Sequence, residues 1–136
     1  MKPLTIGAAA RAAGIGVETV RFYERRGLIK QPKRPLGGGA RNYDTATIER
    51  LRFIRRAKEI GFSLAEIAEI LSLRDLGGVG CRSVRARAVA KRDDINGRLV
   101  QLKQMRDVLD KLIDDCPGEG ELSDCTILEA IEAASG

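Results

Sequence analysis

Three cysteines, Cys81, Cys116 and Cys125, are the residues of this 136-residue chain whose type and spacing suggest chemistry. Their odd number argues against a self-contained disulfide framework and for free thiols or metal ligands. Cys81 follows the run Gly77-Gly78-Val79-Gly80, and Cys125 ends an acidic Pro-Gly loop, neither a good place for a buried core side chain. Thiolates select soft metal ions. With no histidine in the chain, the usual nitrogen partners of a zinc site are missing. Three sulfurs are also fewer than the four protein ligands that structural zinc normally takes, and they suit a three-coordinate soft ion. Enzyme chemistry is poorly supplied. There is no CxxC pair, no histidine base and no GxGxxG cofactor loop.

The elements that must position these thiols follow from periodicity. Cys81 to Cys116 contains no proline and only Gly97, and it is expected to form one long helix. The 35-residue step between the two cysteines equals five heptads, so they share a seam. Position a holds Cys81, Ala88, Ile95, Leu102, Leu109 and Cys116, while position d holds Val84, Lys91, Arg98, Met105 and Leu112. Lys91 and Arg98 interrupt the first half of that seam. At 1.5 Å per residue the two thiols stand roughly 50 Å apart along the helix and cannot share an ion within one chain. A stripe this long needs a partner helix, and a homodimer is the simplest way to supply one. If the helices pair antiparallel, Cys81 of one subunit meets Cys116 of the other. The loop Pro117–Asp124 then folds Cys125 back beside Cys116, and a short helix is expected over Thr126–Ala134.

The front half has a different character. Residues 1–73 carry 14 Lys/Arg against seven Asp/Glu, whereas residues 74–136 carry 10 against 12. One end is suited to meet a polyanion. Thr5 is placed to cap a first helix that stops at Gly14, and Gly16 to begin a second that runs from Val17 to Arg26 and stops at Gly27. Two short helices across a glycine turn outline a helix-turn-helix. Pro32, Pro35 and Gly37-Gly38-Gly39 exclude a helix next, and a small hairpin, or wing, is expected to carry Lys30, Lys33, Arg34 and Arg41 and to end at Tyr43. A third helix follows Asp44 with Ile48, Leu51, Ile54 and Ala57 on one face. Ser63 and Glu66 form a capping box for a fourth, with Phe62 and Ile67 at the positions of a hydrophobic staple and Ile67, Ile70 and Leu71 facing inward. No run approaches the roughly 18 apolar residues of a membrane span. The N-terminus shows no apolar export region, so a cytoplasmic protein with no membrane partner is expected.

Together these stretches resemble the mercury-resistance regulator (MerR) family. The resemblance rests on Thr5-Ile6-Gly7, the run from Val17 through Arg21-Phe22-Tyr23-Glu24 to Leu28, the wing ending Arg41-Asn42-Tyr43, and Leu51-Arg52-Phe53-Ile54 leading to Gly61-Phe62-Ser63-Leu64-Ala65-Glu66-Ile67. It extends over essentially the whole chain. The wing departs from the family pattern, being one residue longer and less basic than the usual Arg-Arg-Tyr ending.

The resemblance implies a mainly α fold: a winged helix-turn-helix DNA-binding domain at 4–73, a long antiparallel coiled-coil dimerisation helix at 81–116, and a metal-binding loop and C-terminal helix at 117–136. It implies a homodimer on double-stranded promoter DNA, working with RNA polymerase. In such a domain the second helix enters the major groove while basic and polar groups grip phosphates. Glu18, Thr19 and Arg21 are therefore candidate groove residues; Tyr23, Arg41 and Tyr43 are candidate backbone contacts, with Lys33 and Arg34 on flanking phosphates. Phe22 is expected in the core. The same resemblance implies Cys81, Cys116 and Cys125 as ligands of an effector ion, mercury(II) first. Lead(II) and cadmium(II) remain open, because relatives that sense them share the three-cysteine spacing. A metal buffer would also bind soft ions but has no use for the basic front half.

Overall fold

The computed structural model describes residues 4–78 and 80–134, with the side chain of Ala134 excepted. Val79 within the glycine linker and residues 135–136 of the expected C-terminal segment lie outside the described residues. Six α-helices are present among them: α1 (Ile6–Ala13), α2 (Val17–Arg25), α3 (Thr45–Glu59), α4 (Leu64–Leu76), α5 (Cys81–Asp115) and α6 (Thr126–Ala134). The chain divides into two compact units, residues 1–88 and 89–136.

In the first unit α1, α3 and α4 start where a side chain satisfies a free amide, while α2 starts at Gly16 without one. Thr5 Oγ1 accepts from the Ala8 amide at 3.3 Å, and Asp44 accepts from the Thr47 amide at 2.8 Å. That bond holds the Asp44 carboxyl below the usual aspartate range. Ser63 and Glu66 form the expected reciprocal capping box, at 3.2 and 2.8 Å. Gly14 ends α1 with φ 74°, a left-handed turn that only glycine adopts cheaply, and its amide donates to the carbonyls of Ala10 and Arg11.

The core of this unit forms where α1 packs on α2 and α3, and α3 on α4. Small residues on α1 (Ala9, Ala10 and Ala13) allow close approach, and Ile48, Leu51, Ile54 and Ala57 of α3 meet Ile67 and Leu71 of α4. These are the faces that the spacing predicts. Phe22 and Tyr23 exchange the expected places. Tyr23 is 4% exposed and Phe22 is 37% exposed, with the Arg26 guanidinium over its ring at 5.7 Å. The residues are about 100° apart on the helix, and the buried face defined by Val20 takes the second of them.

The wing differs from the expected hairpin. No strand occurs among the described residues. The Gly38 amide donates to the Pro35 carbonyl at 3.0 Å, closing a turn, but no ladder extends from it. Pro32 and Pro35 have no amide hydrogen to give to such a ladder. The wing instead closes on the start of the chain, where Leu4 and Tyr43 exchange backbone hydrogen bonds of 2.9 and 2.6 Å.

α5 begins immediately after the linker and is unbroken over 35 residues, none of them buried. Cys116 precedes Pro117, a placement that disfavours continued helix. The acidic loop that follows contains a 3-10 turn at Leu122–Asp124, which the sequence pattern does not reveal. No described helix is long and apolar enough to cross a membrane.

Candidate nucleic-acid interface and cysteine sites

α2 turns Val20 and Tyr23 inward, which leaves Glu18, Arg21 and Arg25 on its outer side. Glu18 and Arg21 are ion-paired at 2.8 Å, and Thr19 is half-buried. Lys33 and Arg34 are exposed on the wing, and Arg41 is half-buried near its end. The structure gathers Arg21, Arg34, Arg41 and Tyr43 around one cleft of about 380 Å³, together with Glu24, Arg25 and Gln31, which the sequence reading passes over. Glu18, Thr19, Tyr23 and Lys33 are not among the residues lining it.

The two tyrosines belong to the core more than to the surface. Tyr43 is 1% exposed, and its hydroxyl donates to the Glu24 carboxylate. Burial, the bond to Glu24 and that carboxylate's charge push the Tyr43 hydroxyl up to about 12, so it remains a donor throughout the neutral range. Burial also raises Tyr23. Arg41 has a buried Nε with no hydrogen-bond partner. Four guanidinium groups face this cleft against one carboxylate, an arrangement suited to an anion.

A second tie links the start of the wing to the end of α4. Arg50 Nε donates to the Leu28 carbonyl at 2.6 Å, while its two terminal nitrogens hold the Asp75 carboxylate at 2.9 and 3.1 Å. The bonds from Arg50 keep the Asp75 carboxyl below the usual range. Asp75 stands two residues before Gly77 and Gly78, both with φ 67°, at the linker that leads to Cys81. No periodicity could have paired residues 25 apart in this way.

The cysteines are all free. Cys81 is exposed as the first residue of α5, while Cys116 and Cys125 are half-buried. These two line a single cavity of about 220 Å³ formed by Pro117–Leu122 and Asp124. Local bonds make that possible. Thr126 Oγ1 donates to the Asp115 carbonyl at 3.4 Å, which fixes the start of α6 beside the end of α5. The Cys125 carbonyl accepts the Glu129 amide at 3.1 Å and so begins α6. Within one chain the described residues include no group of three potential metal ligands. Two thiols therefore share a cavity, and the third stands elsewhere in the chain.

Comparison with known proteins agrees with this architecture. The MerR HTH family regulatory protein profile matches residues 4–73, and the profile described as MerR, DNA binding matches residues 48–112. The mercuric resistance operon regulatory protein of Shigella flexneri is 37% identical over 136 residues, spanning 100% of this chain and 92% of that protein. The lead(II) complex of the transcription regulator PbrR691 from Ralstonia metallidurans CH34 is 33% identical, with a TM-score of 0.83 over 94% of this chain and 98% of that one. The mercury(II) complex of MerR from Bacillus megaterium MB1 is 32% identical, with a TM-score of 0.71 over 90% and 94% of the two chains. These relatives are regulators, not enzymes. With full-length similarity and a matching helix-turn-helix profile, the chain belongs to the MerR family of helix-turn-helix regulatory proteins.

Proposed function

We propose that the chain is a cytoplasmic, homodimeric, metal-responsive transcription regulator that binds double-stranded promoter DNA and answers to mercury(II). Residues 4–73 are the DNA-binding domain, 81–116 the dimerisation helix, and 117–136 the metal-binding loop and helix. Glu18, Thr19 and Arg21 face the major groove, while Lys33, Arg34, Arg41 and the two tyrosines serve the phosphate backbone. The exposed apolar side chains along α5, among them Leu102, Met105 and Leu109, support pairing with a second copy.

The observation that carries the metal reading is the shared cavity of Cys116 and Cys125. It offers two soft donors and no histidine, one donor short of a three-coordinate site. Cys81, exposed at the head of α5, is free to complete the site on a partner subunit whose helix runs antiparallel. The donor set fits a soft thiophilic ion, held by Cys116 and Cys125 of one subunit and Cys81 of the other.

Without metal the dimer represses a promoter whose recognition elements are spaced too far apart for RNA polymerase. Metal shifts the dimer between two arrangements by binding one of them better. The bound DNA is then bent and untwisted until the elements align, at a deformation cost that protein–DNA contacts offset. Asp75, held by Arg50 beside Gly77, is well placed to pass a movement at Cys81 towards the wing.

Mercury(II) leads because of the 37% identity to mercuric resistance regulators over the whole chain. Lead(II) is a second reading, favoured by the TM-score of 0.83 to a lead(II)-bound regulator. Cadmium(II) fits the same thiols. The reduced dimer is titrated with mercury(II), lead(II), cadmium(II) and zinc(II) against a competing small thiol, following thiolate-to-metal charge transfer in the ultraviolet. Mercury(II) should survive the competition and be lost in Cys81→Ala, Cys116→Ala and Cys125→Ala alike. Preference for lead(II) would change the effector and keep the regulator.

A further inference from the structure

The cleft between α2 and the wing contains a conflict. Among the described residues Glu24 is the only acid lining it, against Arg21, Arg25, Arg34 and Arg41. A carboxylate in such company is strongly drawn to pair with a guanidinium. Among the described residues it does not. Arg21 is ion-paired with Glu18, one turn earlier on α2. Glu24 instead accepts a hydrogen bond from Tyr43, a side chain held in place by its buried ring and by the backbone bonds between Leu4 and Tyr43. Two residues before Tyr43, the Nε of Arg41 is buried without an acceptor. A buried donor left open is costly, and the cost is relieved when an acceptor arrives. The expectation that the Tyr43 hydroxyl reaches DNA itself does not account for this pattern, because that hydroxyl is already engaged inside the protein.

We propose that Tyr43 is a positioning residue: its hydroxyl holds the Glu24 carboxylate away from Arg41, and Arg41 stays open to receive one phosphodiester oxygen of the DNA backbone. This rests on the DNA-binding reading above. Tyr43 acts on the DNA through Glu24 and Arg41. Without its hydroxyl, Glu24 swings to the nearest guanidinium and neutralises the group that should meet the phosphate.

The test is a pair of substitutions in the full-length dimer, Tyr43→Phe and Glu24→Gln, made singly and together. The probe is a duplex selected from a random-sequence library by the wild-type protein, and binding is measured over a range of salt below the melting onset of every variant. Tyr43→Phe should weaken binding roughly tenfold, the loss of one charged hydrogen bond. It should also lower the slope of log affinity against log salt by about one, as for one phosphate contact. Glu24→Gln alone should stay within about twofold of wild type. The double variant should recover both affinity and slope, because the carboxylate that blocked Arg41 is gone. A merely structural tyrosine would not move the salt slope, nor would Glu24→Gln rescue it. If Glu24→Gln changes both backgrounds by the same factor, the proposal is overturned and Tyr43 contacts DNA directly. If the wild type selects no duplex, it is the DNA-binding reading that fails. Arg41→Ala should lower affinity and salt slope as Tyr43→Phe does, and adding Tyr43→Phe to it should change neither further. Wild-type affinity and slope kept in Arg41→Ala would overturn the assignment of that seat to a DNA phosphate.

Discussion

Residues 1–88 and 89–136 solve the folding problem in opposite ways. All the buried side chains described lie between Ala9 and Leu71, closed in by four helices with side-chain or glycine caps. Among the described residues of 89–136 none is buried, and Leu99, Leu102, Met105, Val108, Leu109 and Ile113 are each more than half exposed. The first unit completes its core within one chain. The second presents an apolar stripe that a lone chain leaves in water, so its stability depends on a second copy.

That contrast can be broken by substitution. Leu51, fully buried on α3, should cost about 2–5 kcal/mol when replaced by alanine, seen as early melting that does not depend on protein concentration. Leu102 is 58% exposed in the single chain, where Leu102→Asn should cost almost nothing. In the dimer, each lost side chain should remove about 2 kcal/mol of apolar burial. Sedimentation should then show dissociation at concentrations where the wild type stays dimeric. Equal effects at both positions, or a Leu102 effect independent of concentration, would erase the distinction between the units.

A smaller effect sharpens it. Asp44→Ala should cost about 1 kcal/mol through loss of the α3 cap. Because folding lowers the Asp44 pKa, its contribution is complete above the unfolded aspartate pKa and fades as pH falls through the lower folded value. Chemical denaturation should find the two proteins differing at neutral pH and converging in strong acid.

Much of the fold could be read from pattern alone because its devices are local. The Ser63–Glu66 box spans three residues, the inward face of α3 repeats every helical turn, and α5 lacks internal breakers. What escaped depends on distance in sequence or on fine angular differences. Tyr43 meets Glu24 across 19 residues and Arg50 meets Asp75 across 25, separations to which helical periodicity is blind. The reversal of Phe22 and Tyr23 turns on which of two neighbouring positions borders the core. The extended pieces flanking the wing's turn point to a hairpin, but its prolines withhold the amides a ladder needs. At the cysteines, the likeness in spacing suggested the trio. The short Pro117–Asp124 loop is expected to bring Cys125 back beside Cys116, and both line one cavity; the 3-10 turn inside that loop is what no repeat encodes.

The central claim is that one ion is shared between subunits, and mixed dimers test it directly. Cys81→Ala subunits and Cys116→Ala/Cys125→Ala subunits each form homodimers with no complete site. Unfolded together and refolded, they produce a mixed dimer in which the second subunit's Cys81 meets the first subunit's Cys116 and Cys125. The account predicts that tight mercury(II) binding, absent from both parents, returns at one ion per mixed dimer. A mixed dimer that binds no better than its parents would contradict the intersubunit site.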